Sequence, residues 1–240
     1  MKRYLNVVMA LLLLLMVSQT LAQSARRAQI ELYAGAGFPL SPDEFKDYFK
    51  IGLSGNAQYV FFPSPSLGIP IFVGYERFTV DTDAISNLYA DQIRAELVGT
   101  GIDLVSADFQ SEGNASALKL GIGVRPYLTK PEAPTQFFLF GSGTFNLLKA
   151  EQKFNGGSYT LRDSFTGQQA TFSITAQDFR DAGIETDVKG DEEKFGLAGG
   201  AGIEMPAGES INLIFQGLFN IIFTSDQSTT FLGVTAGVIF

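Results

Sequence analysis

The chain has 240 residues, of which 25 are acidic and 17 basic, so its formal net charge at pH 7 is −8. This balance excludes nucleic acid as an expected partner, because phosphate binding requires clustered Lys and Arg side chains. The sequence contains neither cysteine nor histidine. Disulfides, thiolate metal sites, Cys nucleophiles and the commonest general base are thereby excluded. The composition predicts a protein that is not an enzyme and needs no cofactor or metal.

Residues 1–22 have the layout of a secretory signal. Two basic residues precede an unbroken apolar run from Val7 to Val17, and a polar stretch then ends at Ala22. The run is only about half of the ~20 residues that a transmembrane helix needs, so cleavage after Ala22 is expected rather than anchoring. The mature chain would then be one domain, residues 23–240.

Eight strands are predicted after this segment, and most of them are ten to fourteen residues long. That length suits a tilted membrane crossing of about 9 to 11 residues better than the usual ~5 to 6 of soluble proteins. The 26 glycines and 22 phenylalanines also favour strands with one narrow and one apolar face. In chain order the predicted strands are residues 28–38, 50–62, 69–80, 115–128, 135–148, 194–205, 210–223 and 229–240.

Several of these strands alternate between apolar and polar side chains, which places the two kinds on opposite faces. In strand 210–223 the carboxamides Gln216 and Asn220 oppose an apolar face formed by Ile211, Leu213, Phe215, Gly217, Phe219, Ile221 and Phe223. In strand 115–128 the polar face carries Lys119 and Arg125. Repeated alternation of this kind is typical of transmembrane β-barrels, with polar groups inside and hydrocarbon outside.

Two predicted strands have apolar side chains on both faces, so their phase stays open. The runs are Ile71-Phe72-Val73 and Phe137-Phe138-Leu139-Phe140. Either a packed lumen or an aromatic band at the membrane edge would explain them.

The links between strands alternate in length. Residues 63–68, 129–134 and 206–209 are short and rich in turn-forming Pro, Ser and Gly. The intervening links are residues 39–49, 81–114, 149–193 and 224–228; they include all the long ones, and only the last is an exception in length. In bacterial outer-membrane barrels the short turns face the periplasm and the long loops face outward. An even number of strands then places both termini on the periplasmic side.

The two long links show local patterns. Apolar residues at helical spacing predict a short amphipathic helix over residues 83–98, which would pack on neighbouring loops, plug the lumen or lie on the membrane surface. Two β-prone patches, residues 158–161 and 170–175, predict a hairpin joined through residues 163–168.

The polar faces supply the candidate site residues. We expect a polar network in the lumen formed by Lys119, Arg125, Glu204, Glu76, Gln216 and Asn220. Because unpaired buried charges are costly, these groups should form strand-bridging ion pairs, or line a path for an ion or ligand. A second cluster of acidic residues is read as a solvated loop, with calcium binding as the alternative; it comprises Asp178, Asp181, Glu185, Asp187, Asp191, Glu192 and Glu193.

The last strand carries the clearest resemblance. One face presents Leu232, Val234, Ala236, Val238 and the terminal Phe240, which resembles the closing strand of bacterial outer-membrane barrels. With the phrases Gly74-Tyr75-Glu76 and Gly121-Ile122-Gly123-Val124-Arg125-Pro126-Tyr127, the chain over residues 23–240 resembles the small outer-membrane barrel family that includes OmpX- and OmpW-like porin-family proteins. The chain departs from that family by lacking Trp, so Tyr and Phe would form the interfacial girdles.

The resemblance implies an all-β, eight-stranded antiparallel up-and-down transmembrane barrel with long outer loops in the outer membrane of a Gram-negative-type bacterium. It also implies Sec export, contact with outer-membrane lipid and lipopolysaccharide, and a monomer. Insertion by the outer-membrane machinery would recognise Leu232, Val234, Val238 and Phe240.

These expectations leave several functions open. The leading one is a structural or surface-interaction protein that acts through its outer loops, because eight strands enclose a space that side chains nearly fill. The rival is a narrow channel or carrier for small apolar solutes. A barrel enzyme is disfavoured because those families depend on histidine. A soluble barrel of lipocalin type would instead bury its apolar face around a ligand.

Overall fold

The computed structural model describes residues 28–181, 186–208, 211–224 and 227–240, so the predicted signal segment lies outside the described residues. The strands are β1 (Ala28–Ser41), β2 (Gly52–Ser64), β3 (Leu67–Thr79), β4 (Ile102–Pro126), β5 (Gln136–Asp163), β6 (Gln169–Thr175), β7 (Asp187–Pro206), β8 (Asn212–Phe223) and β9 (Ser228–Ile239). The helices are α1 (Asp43–Tyr48), α2 (Thr82–Leu97) and α3 (Ala176–Asp181).

Eight of the strands close into a barrel. Each pairs antiparallel with its neighbour in the chain, in the ring β1-β2-β3-β4-β5-β7-β8-β9, and β9 pairs back onto β1. β6 lies outside the ring and pairs with the far end of β5. The predicted eight-stranded, antiparallel, up-and-down barrel is confirmed.

The alternation of side chains follows the predicted phase. On β8 the carboxamides of Gln216 and Asn220 are buried, whereas Phe215 and Phe219 are exposed. The structure also settles the two strands whose phase was open. Phe72 on β3 points inward, and on β5 the buried residues are Phe138 and Phe140, so aromatic rings pack the lumen.

The inward aromatic rings fit because glycines face them on the neighbouring strands. A Cβ atom built on Gly121 would lie 2.2 Å from the ring of Phe72, and one on Gly202 would lie 2.2 Å from the ring of Phe138. The lumen is therefore narrow at these levels, as the sequence predicted for its glycine-rich strands.

The barrel has two different ends. At the turn end, residues 65–66, 127–135 and 207–211 link the strands, and the described chain also begins and finishes there. At the loop end lie α1, α2, β6 and α3. Among the described residues, no helix is long and apolar enough to cross a bilayer.

The long outer links differ from the expectation of loops. Residues 102–113 and 149–163 continue β4 and β5 beyond the ring, so β4 has 25 residues and β5 has 28. β7 extends in the same way and pairs with β5 as far as Asp187. Together with β6, these extensions form a protruding sheet at the loop end, which contains the predicted hairpin at residues 163–168. The sequence predicts only the outer part of this sheet, the β-prone patches at residues 158–161 and 170–175. Period-two hydrophobicity stops where the strands leave the barrel wall, so the other extensions are not predicted as strands.

The predicted amphipathic helix is α2, and it packs on the protruding sheet. Tyr89 lies 5.3 Å from the ring of Phe109 on β4 and 5.9 Å from that of Phe154 on β5. The helix also binds the edge of β4 that faces away from β5. Ser86 Oγ accepts from the Phe109 amide at 3.0 Å, and Thr82 Oγ1 donates to the Ser111 carbonyl at 2.9 Å. Of the three placements that the sequence left open, the first, packing on neighbouring outer segments, is the one observed.

Candidate functional site

Near the turn end, a buried ion pair crosses the lumen. Arg125 on β4 donates from Nη1 to Oε1 of Glu31 at 2.6 Å and from Nη2 to Oε2 at 2.9 Å. Both side chains are fully buried, and the guanidinium also donates to the Tyr33 hydroxyl at 3.1 Å. It lies 4.6 Å from the centre of the Phe138 ring. A bidentate, charge-assisted pair of this kind is strong and fixes its own geometry.

Glu31 is the centre of this network. Besides Arg125, its carboxylate accepts hydrogen bonds from the Tyr33 hydroxyl and from the side-chain amides of Gln29 and Gln58. A buried carboxylate with this many donors is stabilised in its charged form, because its lost hydration is replaced by fixed hydrogen bonds.

Arg125 is among the site residues that the sequence predicts, whereas its partner Glu31 is not. A signal for Glu31 was present, because Gln29, Glu31 and Tyr33 occupy every second position of β1 opposite Ile30 and Leu32. That alternation gives the polar face of the first strand in the same way that it gave Lys119 and Arg125 in the fourth.

Closer to the loop end lies a second network. Lys119 Nζ donates to Oε1 of Glu76 at 2.6 Å and to Oδ1 of Asn220 at 3.3 Å, and it lies 5.0 Å from the centre of the Phe231 ring. Lys119 and Glu76 are both about nine-tenths buried. The structure therefore brings together three of the six predicted lumen residues.

Two further predicted lumen residues, Gln216 and Glu204, are also buried and point into the lumen. Gln216 is buried on β8, where it lies opposite Gly202 of β7. Glu204 is buried near the turn end of β7, opposite Gln136 on β5 and Ile214 on β8. The predicted single network is thus two networks at different heights in the barrel.

The loop end of the lumen is covered by an aromatic cap, formed by Phe45 of α1 with Phe78 and Phe231. The ring centres of Phe45 and Phe78 are 4.9 Å apart, and those of Phe78 and Phe231 are 5.5 Å apart. Ile222, Phe49 and Leu148 pack around them. The cap and the Arg125–Glu31 pair obstruct the lumen at two levels.

The predicted assembly residues lie on β9 and at the end of the chain. Leu232 and Val234 are exposed on the outer wall, as is Phe240, while Val238 is half-buried on the same face. β9 pairs with both β8 and β1, so it completes the ring.

The protruding sheet has two unlike edges. α2 covers the edge of β4, whereas β6 is the last strand of the sheet and pairs only with β5. The Asp163 amide donates to the Gln168 carbonyl at 2.9 Å. Because antiparallel partners alternate between bonded and non-bonded pairs, the amides of Thr171 and Ser173 must face away from β5. The amide of Thr175, next in this series, indeed donates to the Asp178 side chain instead, at 2.7 Å.

The acidic cluster predicted in this region does not form a metal site in the described part of the chain. No group of three or more acidic side chains there is arranged to hold a metal ion. Asp178 instead accepts from the amide and hydroxyl of Thr175 at the start of α3, which lowers the pKa of its carboxyl. Glu185 lies outside the described residues.

The tip of the hairpin is held by a second aspartate. The backbone amides of Thr166 and Phe165 each donate to Oδ1 of Asp163 at 2.8 Å, and these bonds hold the pKa of that carboxyl below its usual value. Phe165 itself is almost fully exposed at the tip.

Comparison with known proteins finds similar solved structures but no matching sequence family. No family model matches the chain, and no curated protein does. Neisserial surface protein A (NspA) shares 12% identity at a TM-score of 0.46, over 88% of this chain and 95% of that one. Ail, the attachment invasion locus protein of Yersinia pestis, shares 12% at 0.42, over 89% and 97%. The N-terminal β-barrel domain of Pseudomonas aeruginosa OprF shares 10% at 0.40, over 89% and 98%. TM-scores below 0.5 at such identities assign the chain neither a family nor a role.

Proposed function

We propose that the chain is a non-enzymatic outer-membrane barrel that presents its protruding sheet for interaction with other polypeptides. The membrane part of this proposal is supported by the outer wall. Large apolar side chains are exposed on every strand of the ring, among them Leu32, Leu53, Phe61, Ile71, Leu120, Ile122, Phe137, Leu139, Leu197, Phe215 and Val234. A soluble protein rarely exposes an apolar surface that encircles it.

The height of this apolar wall is compatible with a membrane. On β2 the outward apolar residues run from Leu53 to Phe61, which is about 27 Å along a strand at ~3.4 Å per residue. At a tilt of ~40° this corresponds to a height of about 21 Å, close to the ~25 Å apolar band of outer-membrane barrels. A lipocalin-type barrel would carry its apolar face inside, whereas here ion pairs occupy the interior.

Labelling with a bilayer-confined photoreactive lipid tests this placement. We expect Leu213, Phe215 and Val234 to be labelled, while their inward neighbours Gln216 and Thr235 are not. Labelling of both sets, or of neither, would contradict a lipid-facing wall. Electrophoresis provides an independent check. If the protein is extracted from outer membranes and migrates differently before and after boiling, it resides there and forms a stable barrel.

The lumen argues against the rival function, a channel for small apolar solutes. The Arg125–Glu31 pair and the aromatic cap obstruct it at two heights, and the enclosed space between them is only about 40 Å³. A solute would have to displace a buried ion pair that is joined by two hydrogen bonds. Solute-specific flux through liposomes that contain the protein, above that of empty vesicles, would favour the channel instead.

The observation that carries the proposed role is the bare edge of β6. Free strand edges are templates for pairing with another chain, and proteins usually cover or blunt them. In this sheet α2 covers the edge of β4. On the opposite side, the extension of β7 before Gly196 carries charges, whereas β6 presents Gln169-Ala170-Thr171-Phe172-Ser173-Ile174-Thr175, without a charge, a proline or a glycine. Such a segment accepts an extended peptide as an added strand.

The surroundings of this edge indicate what it would bind. Acidic residues outnumber basic ones in both segments of the protruding region, residues 81–113 and 149–193. Phe172 is exposed and stacks on Tyr159 with ring centres 5.3 Å apart. The complementary partner is therefore an extended, basic segment with alternating apolar side chains.

A proline substitution tests this role. In nanodiscs, the heptapeptide Lys-Val-Lys-Val-Lys-Val-Lys should shift the amide NMR signals of Thr171 and Ser173 in the unmodified protein. Thr171→Pro removes one outward amide and Thr171→Val keeps it, while both variants lose the hydroxyl contact with Thr160 and retain the backbone bonds to β5. The shift of the Ser173 amide should therefore vanish in Thr171→Pro and persist in Thr171→Val. Absence of shifts in the unmodified protein, or equal shifts in both variants, would refute binding at this edge.

A further inference from the structure

The most exposed large apolar side chains of the described residues lie at the far end of the protruding sheet. Phe165, in the turn of the β5–β6 hairpin, is 89% exposed, and Val98, directly after α2, is 80% exposed. Their two turns, residues 163–168 and 98–102, are joined by a backbone hydrogen bond of 2.9 Å and form one apolar tip. The tip lies outside the ring of strands, so a lipid-facing barrel wall does not account for its exposure.

The apolar tip holds the Phe165 ring in place. The Asp163 carboxylate accepts from the amides of Phe165 and Thr166, both at 2.8 Å. The ring lies against Gly101, where an added Cβ atom would come within 2.5 Å of it and where φ is +77°. The Ser164 amide donates to the carbonyl of the same glycine. Because the turn is fixed before it binds, binding costs less conformational entropy.

The backbone of the apolar tip is satisfied by its own chain. Its amides donate to carbonyl or side-chain oxygens within the two turns or between them; these donors are Thr100, Ile102, Asp163, Ser164, Phe165, Thr166, Gly167 and Gln168. An amide without a partner is costly in hydrocarbon, where no water replaces the lost bond. A tip whose donors are already used can therefore enter an apolar medium together with its Phe and Val side chains.

The charges beside the apolar tip are compensated as well. The tip itself contains no Lys or Arg. Arg162, which precedes the hairpin turn, lies 3.2 Å from the carboxylate of Asp103, and the Ser164 hydroxyl donates to the same carboxylate at 3.0 Å. Membrane surfaces with negative charge attract clusters of free basic side chains, which this tip does not offer. The acidic excess of the protruding region would repel such a surface, so an electrically neutral one fits better.

The same saturation of polar groups distinguishes a lipid from a protein partner. A protein pocket surrounds its apolar centre with a rim of new hydrogen bonds, whereas the polar groups around this tip are already bonded to one another. Hydrocarbon requires only apolar side chains and a satisfied backbone. From residue 113 to residue 102 β4 extends about 37 Å beyond the barrel wall, at ~3.4 Å per residue. The tip therefore points away from the membrane that would hold the barrel.

We infer that the apolar tip inserts Phe165 and Val98 into a neutral lipid bilayer that faces the one holding the barrel. The inserted part is two side chains deep at most, so the contact is weak and reversible, and several barrels would be needed to hold two membranes together. The inference rests on the membrane placement in the proposed function but not on the β6 edge. Binding of lipid at the tip and binding of a peptide at the edge can therefore fail independently.

Tryptophan fluorescence tests the insertion, because the chain has no Trp of its own. Phe165→Trp places one reporter at the tip, and Phe215→Trp places one on the outer wall. The full protein is held in nanodiscs and mixed with phosphatidylcholine vesicles, and either the vesicle lipid or the nanodisc lipid carries bromine, which quenches Trp on contact. Vesicle bromine should quench Phe165→Trp and shift its emission to shorter wavelength, but should leave Phe215→Trp unchanged. Nanodisc bromine should quench Phe215→Trp.

Flotation of the nanodiscs with the same vesicles measures the affinity. Phe165→Ser should weaken the partition about tenfold or more, because burial of a large apolar side chain contributes at least that factor. Val98→Ser should weaken it less, since the side chain is smaller. The matched variant Phe165→Leu keeps an apolar side chain on the same turn and should retain most of the binding.

Three outcomes would overturn the inference. If the unmodified protein does not float with protein-free vesicles, the tip fits a protein pocket instead of a bilayer, and this result holds even if the variants fail to fold. Equal binding of Phe165→Ser and Phe165→Leu would show that the apolar side chain is not inserted. Tighter binding to phosphatidylglycerol than to phosphatidylcholine vesicles would contradict a neutral surface. Absence of quenching of Phe215→Trp by nanodisc bromine would instead refute the lipid-facing wall of the proposed function.

Discussion

Removing Glu31 should destabilise the barrel more than any exposed ion pair can. In Glu31→Leu the guanidinium of Arg125 stays fully buried but loses both carboxylate bonds, at 2.6 and 2.9 Å. Breaking a buried pair by deleting one partner costs about 3–5 kcal/mol, because an uncompensated charge remains in the interior. The expected loss is a large part of the ~5–15 kcal/mol that a folded domain has in total.

The assay is equilibrium unfolding in urea with the purified protein in detergent or vesicles, followed by the fraction that keeps its folded electrophoretic migration. The control is Asp103→Asn, which breaks the pair between Arg162 and Asp103 at 3.2 Å, where both side chains are about half exposed. Because water screens an exposed pair, the loss of stability in Asp103→Asn should be small.

The double variant Glu31→Leu/Arg125→Met isolates the charge effect. It removes both charges and should recover most of the stability that Glu31→Leu loses, because no unpaired ion is left. If Glu31→Leu lowers the stability no more than Asp103→Asn does, or if the double variant is less stable than Glu31→Leu, loss of charge pairing is not the cause of the destabilisation.

Three further predictions concern other parts of the molecule. Phe231→Ala should destabilise by about 3–5 kcal/mol, as for other buried Phe residues, and open the aromatic cap; unchanged stability in urea would contradict this role. Phe240→Ser should lower the yield of inserted barrel in an outer-membrane assembly assay without changing the stability of the molecules that do insert, whereas an equal yield would exclude Phe240 from the assembly signal. Asp163 has a lowered pKa because Thr166 and Phe165 donate to it, so its contribution is present above the unfolded value near 4 and is lost as the pH falls through the lower folded value. Amide protection at the hairpin tip should therefore fall only below about pH 4 and be reduced at all pH values in Asp163→Asn; protection that is independent of pH would argue against this.

The sequence predicts faces well because a strand alternates with period two regardless of its surroundings. Gln216 and Phe215 fall on the predicted sides of β8, and so do Arg125 and Val124 on β4. Alternation does not show which inward residues on opposite walls of the barrel lie at the same level along its axis. Which inward carboxylate meets Arg125 depends on the stagger of strands that are distant in the ring, so the pairing with Glu31 emerges only from the closed barrel.

The strand extensions were missed for a related reason. Beyond the barrel wall, neither face of residues 102–113 needs to be apolar, so the pattern that predicts the other strands is absent there. The β-prone patches at residues 158–161 and 170–175 were recognised because residue preference, rather than alternation, indicated them. The hydrogen bonds of Ser86 and Thr82 to the β4 edge could not be predicted from the sequence, because they depend on where α2 packs.

The seam between β1 and β9 joins the two extremes of the described chain. Its ten registered pairs are the most non-local in the sheet, and contacts so remote in sequence form late, because the whole intervening polymer must first be ordered. Until then both strands expose unpaired amides and carbonyls, which can pair with another chain. A chain shortened within β9 would therefore remain an open, aggregation-prone sheet rather than a slightly smaller cylinder.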